Sequence, residues 1–222
     1  MSSLAVSIDI RSWTHQLDSL GRDLLNSQIT ALAWQDGMDD LYRNIDPDML
    51  LRSIGFEQAT NNSAFDSIDQ SKNFTPVRFL PHTGAPEHMV VTTKVAKITK
   101  GRSILPHGHL NMVSAFLTLS GEFHVRQYDW LHYDENFFHI RQTSDHVSQP
   151  GQWNSHSDDK NNIHWLTAMT DDTYLFSTKL THIDPNRYFA SNLYVDLYGK
   201  DLGNGVIQAE RIDFDRGHEL YG

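Results

Sequence analysis

The sequence predicts a mainly β protein, a jelly-roll sandwich or barrel that carries an N-terminal helical extension. From Thr75 onward, short runs rich in Val, Ile, Thr, Phe and Tyr alternate with clusters of Gly, Pro, Asn and Asp, which is typical of antiparallel sandwiches and barrels. Before Thr75, apolar residues recur at spacings close to three and four, the period of an amphipathic helix. We therefore expect a helical extension and linker over residues 1–74 and a β domain over residues 75–222.

Two segments of the extension are predicted to be helical. The first is indicated by apolar residues at helical spacing, namely Trp13, Leu17, Leu20, Leu24 and Leu32. The second is a short helix that starts at Asp46 and Pro47, a favourable N-cap and first-turn pair, and that ends at Gly55. The stretch 58–74 is rich in Asn, Ser and Asp, which indicates a linker or surface loop.

Six segments of the β domain are predicted to be strands. They are residues 90–98, 115–119, 122–128, 137–142, 163–169 and 173–180. The jelly roll is expected to run from about residue 75 to about residue 190. The helices are expected to pack on its outer surface, because their apolar faces must be buried. The stretch 204–222 is predicted to add one strand and a terminal helical turn.

Composition and charge exclude several classes of function. The formal net charge is −10 and Lys and Arg form no long run, so the chain has no electrostatic footprint for nucleic acid or for an anionic membrane. The absence of Cys excludes disulfides and thiolate metal ligands. Residues 1–10 lack the features of a signal peptide, and no apolar run is long enough to span a bilayer, so we expect a cytoplasmic protein. Whether it forms a homo-oligomer is left open.

Two of the 13 histidines have the spacing of metal ligands. His107 and His109 are separated by one residue, so in an extended strand both side chains point to the same face. With Gly101 before them and Gly121 at the turn of the following hairpin, they resemble the first motif of the cupins, a jelly-roll family. Ser114 stands where many cupins carry a Glu ligand. The site has therefore either lost a ligand or belongs to the cupins that bind iron with three histidines alone.

A longer match favours the three-histidine alternative. In the segment 106–130 the relevant residues are His107, His109, Met112, Leu119, Gly121, His124, Val125, Arg126, Tyr128, Asp129 and Trp130. In the segment 161–170 they are Asn162, His164, Thr167, Ala168 and Thr170. These two blocks resemble the thiol dioxygenases, namely cysteamine dioxygenase and the plant cysteine oxidases, and the second block resembles the segment with that family's third ligand. Together they cover well under half of the chain.

This resemblance implies an iron(II) ion held by His107, His109 and His164, with O2 and a small thiol as reactants. Three neutral imidazoles leave the ion its full charge and open positions, which favours an anionic thiolate beside O2. The alternative is a metal-binding cupin of another reaction class, or a cupin that binds a small ligand without turnover, because the fold has many functions.

Three further residues are candidate catalytic side chains. Ligand imidazoles usually hydrogen-bond through their second ring nitrogen, and Ser114 and Tyr128 are candidate partners for this bond. Asn162 and Asp129 are candidates for the same role. His182 is expected at the mouth of the pocket. It ends the stretch 179–182, which, together with Phe176, stands where the resembling family has an Asp and a Pro-Pro-Tyr that shape substrate binding. The sequence therefore leaves the substrate open.

Other histidines and two tryptophans are given less direct roles. His156 is the second choice for the third ligand, but its Asn, Ser and Asp neighbours are typical of a flexible surface loop, which favours His164. His124 is expected to have a structural role or to hydrogen-bond a ligand. Trp130 and Trp165 are expected to pack in the core rather than to stack on substrate.

Overall fold

Four helices form the N-terminal part of the protein. The computed structural model describes residues 8–61 and 74–222. The helices are α1 (Ile10–Leu25), α2 (Ala31–Asn44), α3 (Pro47–Ser53) and α4 (Phe56–Asn61). The side chains of Asp9, Thr30 and Asp46 accept hydrogen bonds from backbone N–H groups in the first turns of α1, α2 and α3. The predicted start of a short helix at Asp46 and Pro47 is confirmed.

The helical part differs from the prediction at two places. Leu32 does not continue the first helix, because the chain turns at Ser27, whose φ is 56°, and a new helix starts after Thr30. Leu32 therefore lies on α2, where it is 43% exposed. The predicted linker over 58–74 begins inside α4, and its residues 62–73 lie outside the described residues. The division of the chain into domains at residue 74 stays a prediction.

Eleven strands of the described residues form two antiparallel sheets. They are β1 (Phe74–Pro76), β2 (Thr92–Ile98), β3 (Ser103–Leu110), β4 (Met112–Ser120), β5 (Phe123–Tyr133), β6 (Phe137–Ser148), β7 (Trp153–His156), β8 (Ile163–Ala168), β9 (Thr173–Thr181), β10 (Ala190–Gly203) and β11 (Val206–Arg211). Five pair in the order β1-β2-β9-β4-β7, and six close into a barrel in the order β10-β11-β6-β5-β8-β3. The predicted mainly β jelly roll with N-terminal helices is confirmed.

The sheets extend further than predicted. β10 pairs with β3, so the roll does not end near residue 190 but continues through β11. The expected C-terminal strand and helix are present as β11 and α5 (Phe214–Tyr221). The turn at Gly121, whose φ is 68°, joins β4 to β5. These strands lie in different sheets, so Gly121 marks a crossing between the sheets rather than a hairpin.

Three buried clusters arrange the protein in layers. The first lies between the helices and the five-stranded sheet and includes Trp13, Leu17, Trp34, Val95 and Phe176. The second lies between the two sheets and includes Ile104, Phe116, Phe123 and Leu166. The third lies on the other face of the barrel strands, against α5, and includes Leu105, Phe138, Ile163 and Tyr221. Among the helices described, none is long and apolar enough to cross a bilayer.

The docking of the helices onto the five-stranded sheet can be tested with a matched pair of leucines. Leu17 is fully buried in the first cluster, whereas Leu32 is 43% exposed. We expect Leu17→Ala to lower the free energy of unfolding by about 2–5 kcal/mol, because it leaves a cavity. Leu32→Ala should change it by less than about 0.5 kcal/mol. Urea unfolding of both variants measures the difference, and equal losses would contradict this packing.

Candidate metal centre

Three histidines from two neighbouring barrel strands meet between the sheets. His107 on β3 is the register partner of His164 on β8, and His109 follows two residues later on β3. The ring centroids are 4.4 Å apart for His107 and His164, 4.7 Å for His107 and His109, and 5.1 Å for His109 and His164. One ring nitrogen from each lies within 4.8 Å of the other two, and all three residues are buried. The structure therefore brings the three predicted ligands together.

Backbone carbonyls fix the orientation and the tautomer of these imidazoles. The partners of the Nδ1 atoms are Leu105 O at 2.7 Å for His107, Asn162 O at 2.9 Å for His164, and Ser191 O for His109. Because a carbonyl oxygen can only accept, each Nδ1 carries the proton and each Nε2 keeps its lone pair. The Nε2 atoms of His109 and His164 are buried without a hydrogen-bond partner in the described residues. Such orphaned acceptors, on three converging imidazoles, fit a metal ion.

Burial keeps the three imidazoles neutral. It lowers the pKa of His107 to about 4 and holds the pKa of His109 and His164 well below the usual value. Neighbouring imidazoles lower the pKa of His109 and His164 further, and the charge of Lys179 lowers those of His107 and His109. A neutral imidazole is the form that coordinates a metal. The site therefore offers three lone pairs at neutral pH.

Asn162 joins the two strands that carry the histidines. Its Oδ1 accepts from the backbone N–H of His109 at 2.7 Å, and its Nδ2 donates to the His109 carbonyl at 3.0 Å. Its own carbonyl accepts from His164. Gly108 packs against this amide, and a Cβ atom at position 108 would lie 2.6 Å from Asn162 Oδ1. The amide therefore requires a residue without a side chain between the two histidines.

A fourth imidazole, that of His156, lies beside the cluster. The predicted placement of His156 in a flexible surface loop is wrong. His156 ends β7, is only 1% exposed, and stacks on the ring of His164 with centroids 3.9 Å apart. Its Nδ1 lies 3.1 Å from Gln127 Nε2, and its Nε2 has no partner in the described residues. His156 remains outside the group of three histidines.

The polar neighbours of His156 are buried against helix α2 rather than exposed on a loop. The Ser157 hydroxyl donates to Gln35 Oε1 at 2.5 Å, and the Ser155 hydroxyl donates to Asp39 Oδ1 at 3.2 Å. Their polarity therefore serves contacts between β7 and α2. These hydrogen bonds join residues that are more than 100 positions apart in the sequence. The local composition of Asn, Ser and Asp around His156 therefore cannot reveal them.

Ser114 lies on the wall of the site. On β4 it is the register partner of His156 on one side and of Lys179 on the other. Register partners share a face of the sheet, so the Ser114 side chain faces the space that holds the histidines. Its Oγ is fully buried and has no hydrogen-bond partner in the part of the chain that the structure describes.

Tyr128 and His182, the other two candidate catalytic residues, are placed away from the cluster. Along β5, Gln127 pairs with His164 but Tyr128 pairs with Ile163, so Tyr128 points to the opposite face and packs in the third cluster. His182 is exposed and stacks on Phe189 with centroids 4.2 Å apart. Neither side chain faces the three histidines, so these positions do not support the predicted catalytic roles of Tyr128 and His182.

The remaining candidates have structural surroundings. His124 contacts Asp145 Oδ1 through Nε2 at 2.5 Å, on the side of β5 away from the histidines. Trp130 and Trp165 are partly buried against the third cluster, and Arg126 lies over the Trp165 ring at 4.0 Å. The two tryptophans thus pack against the core but stay partly exposed, so the predicted core packing is met only in part.

A cavity of about 670 Å³ opens beside the cluster. His107 lines it from the barrel, and Phe116, Ser177, Lys94 and Lys179 line it from the five-stranded sheet. Neither lysine was predicted from the sequence to face the site. The sequence did contain a signal for Lys94. It lies at every second position of a predicted strand together with Thr92, Ala96 and Ile98, and so shares their face.

The fold and the site define a mainly β jelly roll with a buried three-histidine candidate metal centre. No protein-family model and no curated protein sequence matches the chain.

Similar solved structures cover about half of the chain. An oxalate oxidase is 13% identical over 56% of this chain and 58% of its own, with a TM-score of 0.39. KdgF from Halomonas sp. is 12% identical over 54% of this chain and 87% of its own, with a TM-score of 0.36. Procruciferin, an 11S globulin from Brassica napus, is 16% identical with a TM-score of 0.33, over 41% of this chain and only 21% of its own. The site of this chain has to be judged on its own residues.

The assignment of the ligands predicts which histidines retain a metal ion. We expect His107→Ala, His109→Ala and His164→Ala each to remove most of the bound metal, because each removes one of three lone pairs. His156→Ala and the exposed control His182→Ala should keep metal content near that of the unaltered protein. Elemental analysis after purification measures the outcome, with circular dichroism as a check of folding. Loss of metal in His156→Ala but not in His164→Ala would refute the third ligand.

The role of Asn162 predicts a loss of metal affinity without loss of a ligand. Asn162→Ala leaves the buried N–H and carbonyl of His109 unpaired, so His109 is less firmly placed. We expect affinity to fall about 10- to 100-fold, as for other residues that orient metal ligands. Asn162→Asp, which keeps an acceptor for the His109 N–H, should lose less. Competition with a metal chelator measures both, and affinity unchanged in Asn162→Ala would contradict this role.

Proposed function

We propose that this chain is a non-haem iron(II) dioxygenase of the cupin type that oxidises a small thiol with O2. The observation that carries the proposal is the set of three buried, neutral imidazoles whose Nε2 lone pairs converge beside a cavity. The likeness of the segments 106–130 and 161–170 to the thiol dioxygenases supports the choice of reaction.

The donor set favours iron with open coordination positions. Three neutral histidines supply no negative charge, and no Asp or Glu of the described residues belongs to the group. Iron(II), when bound, would supply the redox chemistry of O2. The balanced reaction is RSH + O2 → RSO2H, in which the sulfur takes both oxygen atoms and no further reductant is needed.

The protein residues around the cluster hold the reactants and restrict water. The ring of Phe116 lies 5.6 Å from that of His164 and 5.1 Å from that of His156, so it forms an apolar side of the space. The buried Ser114 hydroxyl has no partner in the described residues, so it can donate a hydrogen bond to a bound thiolate or to O2. His156 also keeps a buried, unpaired Nε2 there.

Oxygen uptake with a panel of thiols tests the proposal. Protein reconstituted anaerobically with iron(II) is mixed with cysteine, cysteamine, 3-mercaptopropionate or a peptide with an N-terminal Cys. We expect O2 uptake with at least one of them, equal to the thiol consumed, and no uptake in His164→Ala. Because the chain has no Cys, a thiol reagent reports only the substrate.

The outcomes separate the two classes of function. No O2 uptake and no spectroscopic change with any of these thiols, in protein that holds iron, would refute thiol oxidation. The chain would then be a metal-binding cupin of another reaction class or a ligand-binding cupin without turnover.

A further inference from the structure

We propose that the cavity holds the substrate through an anionic group, a carboxylate, which Lys94 and Lys179 bind at the wall opposite the three histidines. This inference rests on the proposed function, since it assigns the substrate class of the same site: a thiol acid rather than an aminothiol.

The two lysines face the cavity from neighbouring strands. In the ladder between β2 and β9, Lys94 pairs with Ser177 and Lys179 pairs with Thr92. Lys94 and Lys179 are therefore diagonal neighbours on one face of the sheet, a separation that long side chains can bridge. Both line the cavity, together with Ser177, the register partner of Lys94, and with His107 on the facing sheet. An anion between the two ammonium groups would thus lie close to the histidine cluster.

The charge of the cavity is opposite to that of the whole chain. The chain has 28 acidic and 18 basic residues, yet the described residues that line this cavity include two Lys and no Asp or Glu. The imidazoles are neutral, and an iron(II) ion bound to them would be positive. Every charge that a ligand meets in this cavity would then be positive. A ligand with a carboxylate is attracted there, whereas the ammonium group of cysteamine is repelled.

Neither lysine has an anionic partner in the part of the chain that the structure describes. The salt bridges there use other basic residues, and no side-chain hydrogen bond of Lys94 or Lys179 occurs among them. Lys97, the next lysine along β2, differs because it points to the other face and pairs with Asp172 at 3.3 Å.

Burial lowers the pKa of Lys179 to about 8, and the charge of Lys94 lowers it as well. Lys179 is therefore still mostly protonated at neutral pH, although no acidic residue in the described part of the chain pairs with it. Retaining such an ammonium group costs stability. A bound carboxylate would supply the missing partner through charge-assisted hydrogen bonds.

Anaerobic binding to the iron-loaded protein tests the inference without turnover. Titration calorimetry compares 3-mercaptopropionate, which is a thiol acid, with cysteamine, which is a thiol of similar size with an ammonium group. We expect 3-mercaptopropionate to bind more tightly. Lys94→Met and Lys179→Met should each weaken it about 10- to 100-fold, the loss of one hydrogen bond to a charged group. Their affinity for cysteamine should be unchanged or higher.

Lys97→Met is the matched control, because it removes a lysine from the same strand but from the other face, and it should bind both thiols as the unaltered protein does. Metal content and thermal stability identify a variant that fails to fold. Lys179→Met should not lower the melting temperature, because it removes an unpaired, partly buried charge.

The results distinguish this inference from the proposed function. Equal affinity for the two thiols, or unchanged affinity for 3-mercaptopropionate in both lysine variants, would overturn the inference even if O2 uptake occurred. Lysine-dependent binding of 3-mercaptopropionate, with no O2 uptake from any thiol of the panel, would uphold the inference and refute thiol oxidation instead.

Discussion

The pairing of β3 with β8 is the constraint on which the candidate site depends. It places His107 directly opposite His164, and the two-residue repeat of β3 brings His109 to the same face. The Asn162 amide then bonds both backbone groups of His109 and thereby ties the strand end to β8. The histidines are thus positioned by the backbone itself, which turns their Nδ1 atoms to carbonyls and leaves the Nε2 atoms to converge.

The alternation of side chains lets each sheet serve two environments at once. On β9, Phe176 and Leu180 pack against the helices, while Ser177 and Lys179 face the cavity. The helices α1 and α2 therefore bury the outer face of the five-stranded sheet and so free its inner face for polar and charged side chains. If the inner face were the only apolar face of this sheet, polar residues at positions 177 and 179 would remove buried apolar area and lower stability.

The parts of the fold and site that could be predicted from sequence are those with a local signal. The six predicted strands and the His107–His109 spacing depend on a repeat of two, and the start of α3 depends on an Asp-Pro pair. The positions of Tyr128, His156 and Lys179 depend on which distant strand each one pairs with, and register between strands is set by contacts that no short window contains. A resemblance could place His164 in the site, but it could not show on which side of β5 Tyr128 lies.

Lys94 and Lys179, which have no acidic partner in the described residues, are better explained by ligand binding than by stability of the fold. A core that only had to be stable would place Met or Leu at position 179, because an ammonium group without an acidic partner loses hydration and gains little in return. A bound anion would offset this desolvation cost at Lys179, because the ammonium group would then have an opposite charge beside it and an acceptor for its hydrogen bonds. Among the described residues, two lysines without an acidic partner and imidazole nitrogens without a hydrogen bond lie on facing walls of one cavity. The proposed metal ion and the proposed anionic ligand would supply the missing partners of both.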